Sequence, residues 1–340
     1  MKKLLLLTAI LLTISFAGQT QKKVLLQHAG IPTLYTTISD AITAAVATDT
    51  IYIPGYTYNE TITLDKQLCI FGTGHYADST AASGMTQVIG NFYLNTGCDG
   101  SKIEGLYTNG YIYTSSQTIN NITISRCRIG GQTQLNGTID GFTISECVLL
   151  GTVSSSNSGT ATNIAIEKSI IQGQIIYFRN TSLLSHCTLI RNYTGSSSSG
   201  YNFYDCQGIV FNSNVILDQT CSIPNTCEFN NNLFRRDFAS SMGPDDDDNI
   251  FNQDIASIFM NIESGKEYTF DFANDYHLQT SSLGVNAALD GTNVGIYGTA
   301  NPCKASAVPS NPHFFKVNIA SENDADGKLS VELGVQAQDR

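Results

Sequence analysis

The segments ITISRCRIGG (Ile122 to Gly131) and FTISECVLLG (Phe142 to Gly151) are near copies of each other, and they decide the fold. Cys127 and Cys147 hold the same place in the two copies, and this place recurs about every 20 residues along the chain. We call the recurring position the column; its members are Leu106, Cys127, Cys147, Ser169, Cys187, Asn214 and Asn232. A repeat of this length is typical of a solenoid, in which each coil buries its apolar side only by stacking on its neighbours.

The coils are predicted to be β-strands. Each repeat alternates β-branched and apolar residues with polar ones, as at Ile122, Ile124 and Ile129, and Gly, Asn, Ser or Thr interrupt the runs too often for a helix of ordinary length. The sequence therefore predicts an all-β fold, a right-handed parallel β-helix in which the column points into the core. Asn side chains in such a column can bond to the backbone and to one another. Cys127, Cys147 and Cys187 are expected to be buried free thiols.

Charge and length narrow the class of protein. The 340 residues suffice for one elongated domain, and only 14% of them are charged. The net charge of -11 argues against nucleic acid or an anionic membrane surface as a partner. Nothing in the sequence indicates the oligomeric state.

Residues 1–17 have the pattern of a signal peptide. Lys2 and Lys3 precede an apolar run from Leu4 to Ile14, and Ser15, Phe16 and Ala17 offer a cleavage site. The run is too short for an ordinary membrane span. We expect an exported protein in the periplasm, at the cell surface or outside the cell, with no other membrane span.

The two ends of the β-helix differ from its coils. A short amphipathic helix over residues 39–47, beginning at Ile38 or Ser39, is expected to cap the first coil. After the prolines in 299–312, FFKVNIA and KLSVELGVQA alternate around ENDADG, which predicts a β-hairpin. The predicted division is therefore a β-helix domain with its cap over 18–298 and an irregular segment with a hairpin over 299–340.

The stretch AITAAVATDTIYIPGYTYNETITLDKQLCIFGTG resembles the N-terminal cap and first coils of secreted bacterial parallel β-helix proteins of the pectin-lyase-like superfamily. The shared pattern is an amphipathic helix, then D-T-I at Asp49 to Ile51, then G-x-Y-x-E at Gly55-Tyr56-Thr57-Tyr58 and Glu60. The stretch SSLGVNAALDGTNVGIYG resembles the closing coil of many such proteins, with Leu283 and Asn293 departing from the usual Pro and Asp. The resemblance implies the fold, and one fold hosts many activities.

The catalytic signatures of that superfamily are missing from the sequence. The blocks of pectin methylesterases and polygalacturonases are absent, and the W-x-D-H motif of plant-type pectate lyases cannot occur because the chain has no Trp. The first hypothesis is therefore an exported surface or binding protein that engages glycans without a recognised catalytic site. The alternative is a polysaccharide lyase or glycoside hydrolase of an uncatalogued type that acts on an exposed β-helix face. The sequence leaves open whether the protein is an enzyme.

The candidate catalytic residues lie beside the column. Arg126, Glu146, Lys168 and His186 each directly precede a column residue, and Glu167 occupies nearly the same position as Glu146, one coil away. Because neighbours of an inward residue point outward in a strand, these side chains are expected to form an exposed stripe. In the enzyme hypothesis, Glu146 or Glu167 serves as acid or base, Arg126 and Lys168 orient an acidic sugar, and His186 shares the proton transfer. The other interpretation is a solvated ladder of charges that discourages aggregation.

Two further predictions concern metal and disulfides. Asp245, Asp246, Asp247 and Asp248 form a run of acids that could hold Ca²⁺, although a solvated loop is the simpler interpretation; no other cofactor is indicated. Cys221 and Cys227 flank a short loop and are the best candidates for a disulfide.

Overall fold

Three parallel β-sheets, stacked coil on coil, build the molecule. The computed structural model describes residues 23–155, 161–179, 181–191, 202–217, 226–236, 246–304 and 307–337. Within these residues most coils contribute one strand to each sheet, and the strands follow the order of the chain. The exception is the N-terminal pair Val24–His28 and Ile31–Tyr35, which joins the first sheet by antiparallel pairing and in reverse order. The predicted parallel β-helix is confirmed, whereas the proposed signal peptide and Cys221 lie outside the described residues.

The strands are short, because a coil must turn a corner every few residues. Sheet A contains Ile31–Tyr35, Val24–His28, Thr50–Tyr52, Cys69–Phe71, Lys102–Glu104, Gln117–Ser125, Gly137–Ser145, Ala161–Glu167, Leu183–Ser185, Val210–Asn212, Glu228–Asn230 and Asp246–Asp247. Sheet B contains Tyr56–Tyr58, Thr86–Val88, Tyr107–Thr108, Arg128–Ile129, Val148–Leu149, Ile170–Ile171, Thr188–Leu189, Val215–Ile216 and Leu233–Phe234. Sheet C contains Ile62–Leu64, Phe92–Leu94, Ile112–Tyr113, Thr133–Leu135, Val153–Ser155, Ile175–Ile176 and Phe203–Tyr204.

The column lies at the corner between sheets A and B, and hydrogen bonds join many of its members from one coil to the next, which we call the ladder. The backbone N–H of Cys187 donates to Asn214 Oδ1 at 2.8 Å, and the N–H of Asn214 donates to Asn232 Oδ1 at 2.9 Å. In the earlier coils, the N–H of Cys147 donates to Ser169 Oγ at 3.1 Å. Cys127, Cys147 and Cys187 are buried free thiols, as the sequence predicted. The ladder satisfies backbone donors that the corner removes from the sheets.

The residue before each column position has a left-handed backbone conformation. Arg126, Glu146, Lys168, His186, Ser213 and Asn231 have φ between 46° and 59°. Before Leu106, the first residue of the column, this position is Gly105, at φ +73°. The ring of Pro309 lies within 3 Å of the place where a Cβ of this residue would be. Since this conformation turns the chain, it aims these side chains outward from the corner.

The N-terminal helix spans Ile38–Ala44, and a short 3-10 helix spans Asp78–Thr80. Thr37 caps the N-terminal helix by accepting a hydrogen bond from the N–H of Asp40. Glu60, the last residue of the G-x-Y-x-E pattern, accepts from the N–H groups of Ile38 and Ser39 at 3.1 and 3.0 Å, and from Ser39 Oγ at 2.9 Å. The carboxylate thus joins the cap to the first coil, at the end of the helix that favours negative charge.

Replacing Glu60 with alanine should lower the free energy of unfolding by about 1–2 kcal/mol, because two N–H groups at the helix start lose their acceptor. Urea denaturation followed by circular dichroism measures the change. Glu60→Gln keeps one carbonyl acceptor and should cost less. Equal stability of Glu60→Ala and wild type would contradict the capping role.

After Asp246–Asp247 the chain stops adding parallel strands and folds back along the β-helix. This returning segment, residues 255–304 and 307–310, contains the helix Ile255–Ile258 and an antiparallel pair, Phe259–Asn261 with Asp275–Leu278. The stretch that resembles a closing coil, 281–298, forms turns here and no strand. It packs against sheet B, where the N–H groups of Leu289 and Gly295 bond to Ser213.

The returning segment covers the outer face of sheet B. Along this face lies one side chain from each of the last seven strands, which we call the outer row: Tyr107, Arg128, Val148, Ile170, Thr188, Val215 and Leu233. Val215 and Leu233 are fully buried there, in a second hydrophobic core with Ile258, Phe259 and Ile296. The predicted C-terminal hairpin follows as His313–Ile319 paired with Val331–Gln336. No helix among the described residues is long and apolar enough to cross a membrane.

Candidate functional site

A cavity of about 320 Å³ lies between the outer row and the returning segment. Val148 and Ile170 of the outer row contribute to its lining, together with Glu146 and Cys147 from the corner. His75 and Tyr76 come from the loop after the strand Cys69–Phe71. The returning segment supplies Phe270, Asp271, Phe272, Asp275, Tyr276, His277, Ile296, Tyr297, Cys303 and Lys304, among others. Apolar walls with a few polar groups are typical of small-molecule sites, and the volume lies at their lower limit of roughly 300 Å³.

Arg128 anchors the aromatic wall of the cavity. Its guanidinium carbon lies 5.6 and 5.4 Å from the ring centroids of Phe270 and Phe272, and 5.0 Å from that of Tyr107. Gln172 Oε1 also accepts a hydrogen bond from the Phe270 N–H at 2.8 Å. Tyr76 stacks on Phe272 with 4.3 Å between centroids and an interplanar angle of 3°. These contacts fix the wall before any ligand binds.

His75 is buried beside this wall. The residue is 2% exposed, and neither ring nitrogen has a hydrogen-bond partner in the structure. Burial, together with the positive charge of Arg128, lowers the pKa of His75 to about 3. The ring is therefore neutral near pH 7, with one N–H donor and one acceptor nitrogen that are both unused.

Two carboxylates at the cavity are already paired. Lys266 lies 2.5 Å from Asp271, and its hydrogen bond lowers the pKa of that carboxyl below the usual value. Burial alone would raise the pKa of Asp275, but hydrogen bonds from the backbone and ring of His277 outweigh this and lower it. The His277 ring in turn stacks on Tyr297. Both acids are thus held as anions and can accept hydrogen bonds from a ligand.

Beside the cavity, five charged residues form a buried ion cluster: Lys102, Glu104, Arg126, Glu146 and Lys168. Arg126 Nε lies 3.1 Å from Glu146, and Arg126 Nη1 lies 3.4 Å from Glu104. Lys102 Nζ is 2.5 Å from Glu104, and Lys168 Nζ is 3.7 Å from Glu146. The side chains of Glu104 and Arg126 are only 2% and 5% exposed, so each charge depends on its partners for stabilisation.

The ion cluster holds the end of the returning segment. The backbone N–H of Lys304 donates to Glu146 at 3.0 Å, and the N–H of Ser310 donates to Glu104 at 2.6 Å. Lys168 Nζ donates to the carbonyl of Asn301 at 3.0 Å. The cluster therefore fixes the part of the segment that contributes Cys303 and Lys304 to the cavity.

The predicted exposed stripe is wrong. Arg126 and His186 are buried, and the side chains of Glu146 and Lys168 are 11% and 17% exposed. The physical reason is that the returning segment lies along the corner and covers them. Of the five candidate catalytic residues, only Glu146 lines the cavity.

Glu167 does not share the position of Glu146. It pairs with Ser145 in sheet A, one residue before the corner, while its carbonyl accepts a hydrogen bond from the Glu146 N–H. His186 faces Asp290 of the returning segment at 3.7 Å, and burial lowers its pKa even though Asp290 opposes the shift. These two residues therefore lie apart from the ion cluster and outside the cavity lining.

The sequence contains a further pattern, separate from the motifs, which indicates that the outer face of sheet B is covered. After the column, strict alternation fails in the runs VLL (148–150), II (170–171) and VIL (215–217), where apolar residues take both the inner and the outer position. Strands that are buried on both faces have such continuous apolar runs. Val148, Ile170 and Val215 thus indicated that something covers sheet B, although not what covers it.

The calcium prediction falls largely outside the described residues. Asp245 and the side chains of Asp246 and Asp247 lie outside the described part of the structure, and Asp248 is exposed. Within the part of the chain that the structure describes, no group of three or more His, Cys, Asp or Glu side chains is arranged to hold a metal ion. The Ca²⁺ site stays a prediction.

Comparisons with known proteins add one likeness. No protein-family model matches the chain, and no curated protein matches it. Among solved structures, the chain is similar to the crystal structure of pectate lyase Pel9A, with 13% sequence identity and a TM-score of 0.42. The match covers 80% of this chain and 91% of that one.

Proposed function

We propose that this protein is an exported glycan-binding protein and that the cavity beneath the returning segment holds one end or one branch of a neutral glycan. The observation that carries the proposal is the pairing of an aromatic wall, Tyr76 with Phe272, with the unpartnered ring of His75. A sugar ring has apolar C–H faces and polar hydroxyl groups. It therefore matches a cavity with apolar walls and a few fixed hydrogen-bonding groups.

The charges favour a neutral sugar over a uronic acid. Asp271, Asp275 and Glu146 line the cavity, Lys266 and Arg126 are held in ion pairs with two of them, and Lys304 is the one lysine or arginine among the described lining residues. A uronate would therefore meet three carboxylates and one lysine, because the guanidinium of Arg128 packs on the aromatic wall. Neutral hydroxyl groups instead find acceptors in Asp271 and Asp275, and a rotation of the His75 ring, whose two nitrogens are buried, would add a donor and an acceptor.

Binding is favoured over catalysis because the candidate acid is fully occupied. Glu146 accepts hydrogen bonds from Arg126 and from the N–H of Lys304, and Lys168 lies beside it. A general acid or base needs a proton that it can exchange with substrate. A carboxylate held by two cations and a backbone donor is suited to fixing the cavity wall.

A glycan-array screen of the protein without residues 1–17 tests the proposal, followed by titration calorimetry with the strongest ligand. Parallel assays for new reducing ends and unsaturated uronates, with and without Ca²⁺, test the enzyme alternative. We expect binding of neutral oligosaccharides and no turnover. Absence of binding across neutral, acidic and amino glycans would refute the proposal.

The sharpest variant is His75→Leu. It removes an unpartnered buried imidazole, so the free energy of unfolding should stay equal or rise. Glycan affinity should fall about 10-fold or more, because a ligand hydroxyl loses its partner inside the cavity. His28→Leu makes the same exchange at the N-terminal end of the coils and should leave affinity unchanged. Unchanged affinity in His75→Leu would remove this ring from the site.

A further inference from the structure

The C-terminal hairpin has one polar face and one bare apolar face. Val317 pairs with Leu333 and Ile319 pairs with Val331, so all four side chains lie on the same face. A bulge at Phe315 brings Phe314 opposite Val335 on this face as well. The apolar face of the hairpin thus consists of Phe314, Val317, Ile319, Val331, Leu333 and Val335.

The opposite face of the hairpin carries its charged and amide side chains. Lys316 forms an ion pair with Glu332 at 2.6 Å, Asn318 pairs with Glu332 across the strands, and the ring of Phe315 covers Gly334. Both strands are exposed along nearly their whole length. A two-stranded hairpin is at best marginally stable alone in water, so the bare face calls for a partner.

The apolar face is large for a soluble protein. Its six side chains are 41–57% exposed, which leaves on the order of 500 Å² of apolar surface. Among the described residues, half of the exposed large hydrophobic side chains belong to this hairpin, and the others are scattered over the rest of the chain. Two such faces together would bury about 1,000 Å², which is the lower limit for a specific interface.

We propose that the hairpin is a self-association surface and that its apolar face packs against the same face of a second copy of this chain. The face carries no charge, so its partner must present an equally bare apolar surface. In a two-fold symmetric dimer the same face of the second copy is that surface. Two stacked hairpins form a small sandwich with both polar faces outward. An anionic lipid surface is disfavoured, because residues 313–337 contain four carboxylates and two lysines and the chain carries a net charge of -11.

Sedimentation velocity of the full chain over a concentration series tests the proposal in the absence of glycan, and so independently of the proposed function. We expect a monomer–dimer equilibrium. Leu333→Asp should weaken it at least about 10-fold, because the new charge enters a symmetric interface twice. Asn318→Asp adds the same charge on the polar face and should leave the equilibrium unchanged.

A second variant guards against loss of the hairpin itself. Ile319→Thr combined with Val331→Thr keeps β-branched side chains and strand propensity while removing apolar surface, and it should also weaken the dimer. A wild type that stays monomeric at all concentrations would overturn the proposal. A dimer that Leu333→Asp leaves intact would overturn it too, as would a monomer that sediments with vesicles of phosphatidylcholine.

Discussion

Replacing Arg126 with methionine is expected to destabilise the protein by about 3–5 kcal/mol, because Glu104 and Glu146 would then remain as partly uncompensated buried charges. Methionine preserves most of the side-chain volume, so the loss would come from charge and hydrogen bonding. Arg126 also donates to the carbonyl of Val308, so the end of the returning segment should loosen at the same time.

Chemical denaturation measures the loss for Arg126→Met, and hydrogen exchange at Lys304 and Ser310 reports whether the segment loosens. Lys102→Met removes another cation from the same ion cluster, but this side chain is 30% exposed and should cost less than about 1 kcal/mol. If the two variants were equally stable, the ion cluster would not be the support that its burial indicates.

Replacing Cys147 with aspartate is expected to cost several kcal/mol, on the order of 3–5, since it places a charge in the column where the side chain faces carbonyl oxygens. The Cys147 sulfur lies 3.3 Å from the carbonyl oxygen of Ser145 and 3.6 Å from that of Ile124. A carboxylate at this point would repel both oxygens. Burial also raises the pKa of the Cys147 thiol well above its usual value, so native protein should react slowly with thiol reagents.

Cys147→Ser is the matched control for the aspartate variant, because Ser169 fills the same position in the next coil and accepts the N–H of Cys147. Serine should keep the ladder and cost less than about 1.5 kcal/mol. Thermal unfolding of both variants decides the matter. A soluble Cys147→Asp protein with wild-type melting temperature would contradict the inward column.

Periodicity was enough to predict the coils, since most of the strand pairs that define them join residues about 20 positions apart. Cys127 and Cys147 hold the same place in the two sequence copies, and the structure pairs the strands that follow them in this register. The helix predicted over residues 39–47 exists for the same reason, as its cap at Thr37 and its apolar stripe are local, but it ends at Ala44. The alternating runs at the C-terminus likewise predicted the hairpin, which is now confirmed.

The candidate site could not be found in this way, because it depends on contacts between distant parts of the chain. Glu146 bonds to Lys304, 158 residues away, and Glu104 bonds to Ser310, 206 residues away. Alternation correctly placed Arg126 and Glu146 outside the β-helix core. It could not predict that another segment would bury them, because a side chain that points outward is exposed to solvent only where no other segment packs on that face.

The path of the returning segment also sets an order of folding. Each coil bonds to the one before it, so the β-helix can grow as successive repeats become available. The outer row from Val148 to Leu233 has no cover until residues 258–296 arrive, and the cavity lacks a wall until Lys304 reaches Glu146. An apolar stripe would therefore stay open to water and to other chains until residues 258–296 have joined the fold. The cavity is then closed only after every coil of the β-helix is in place.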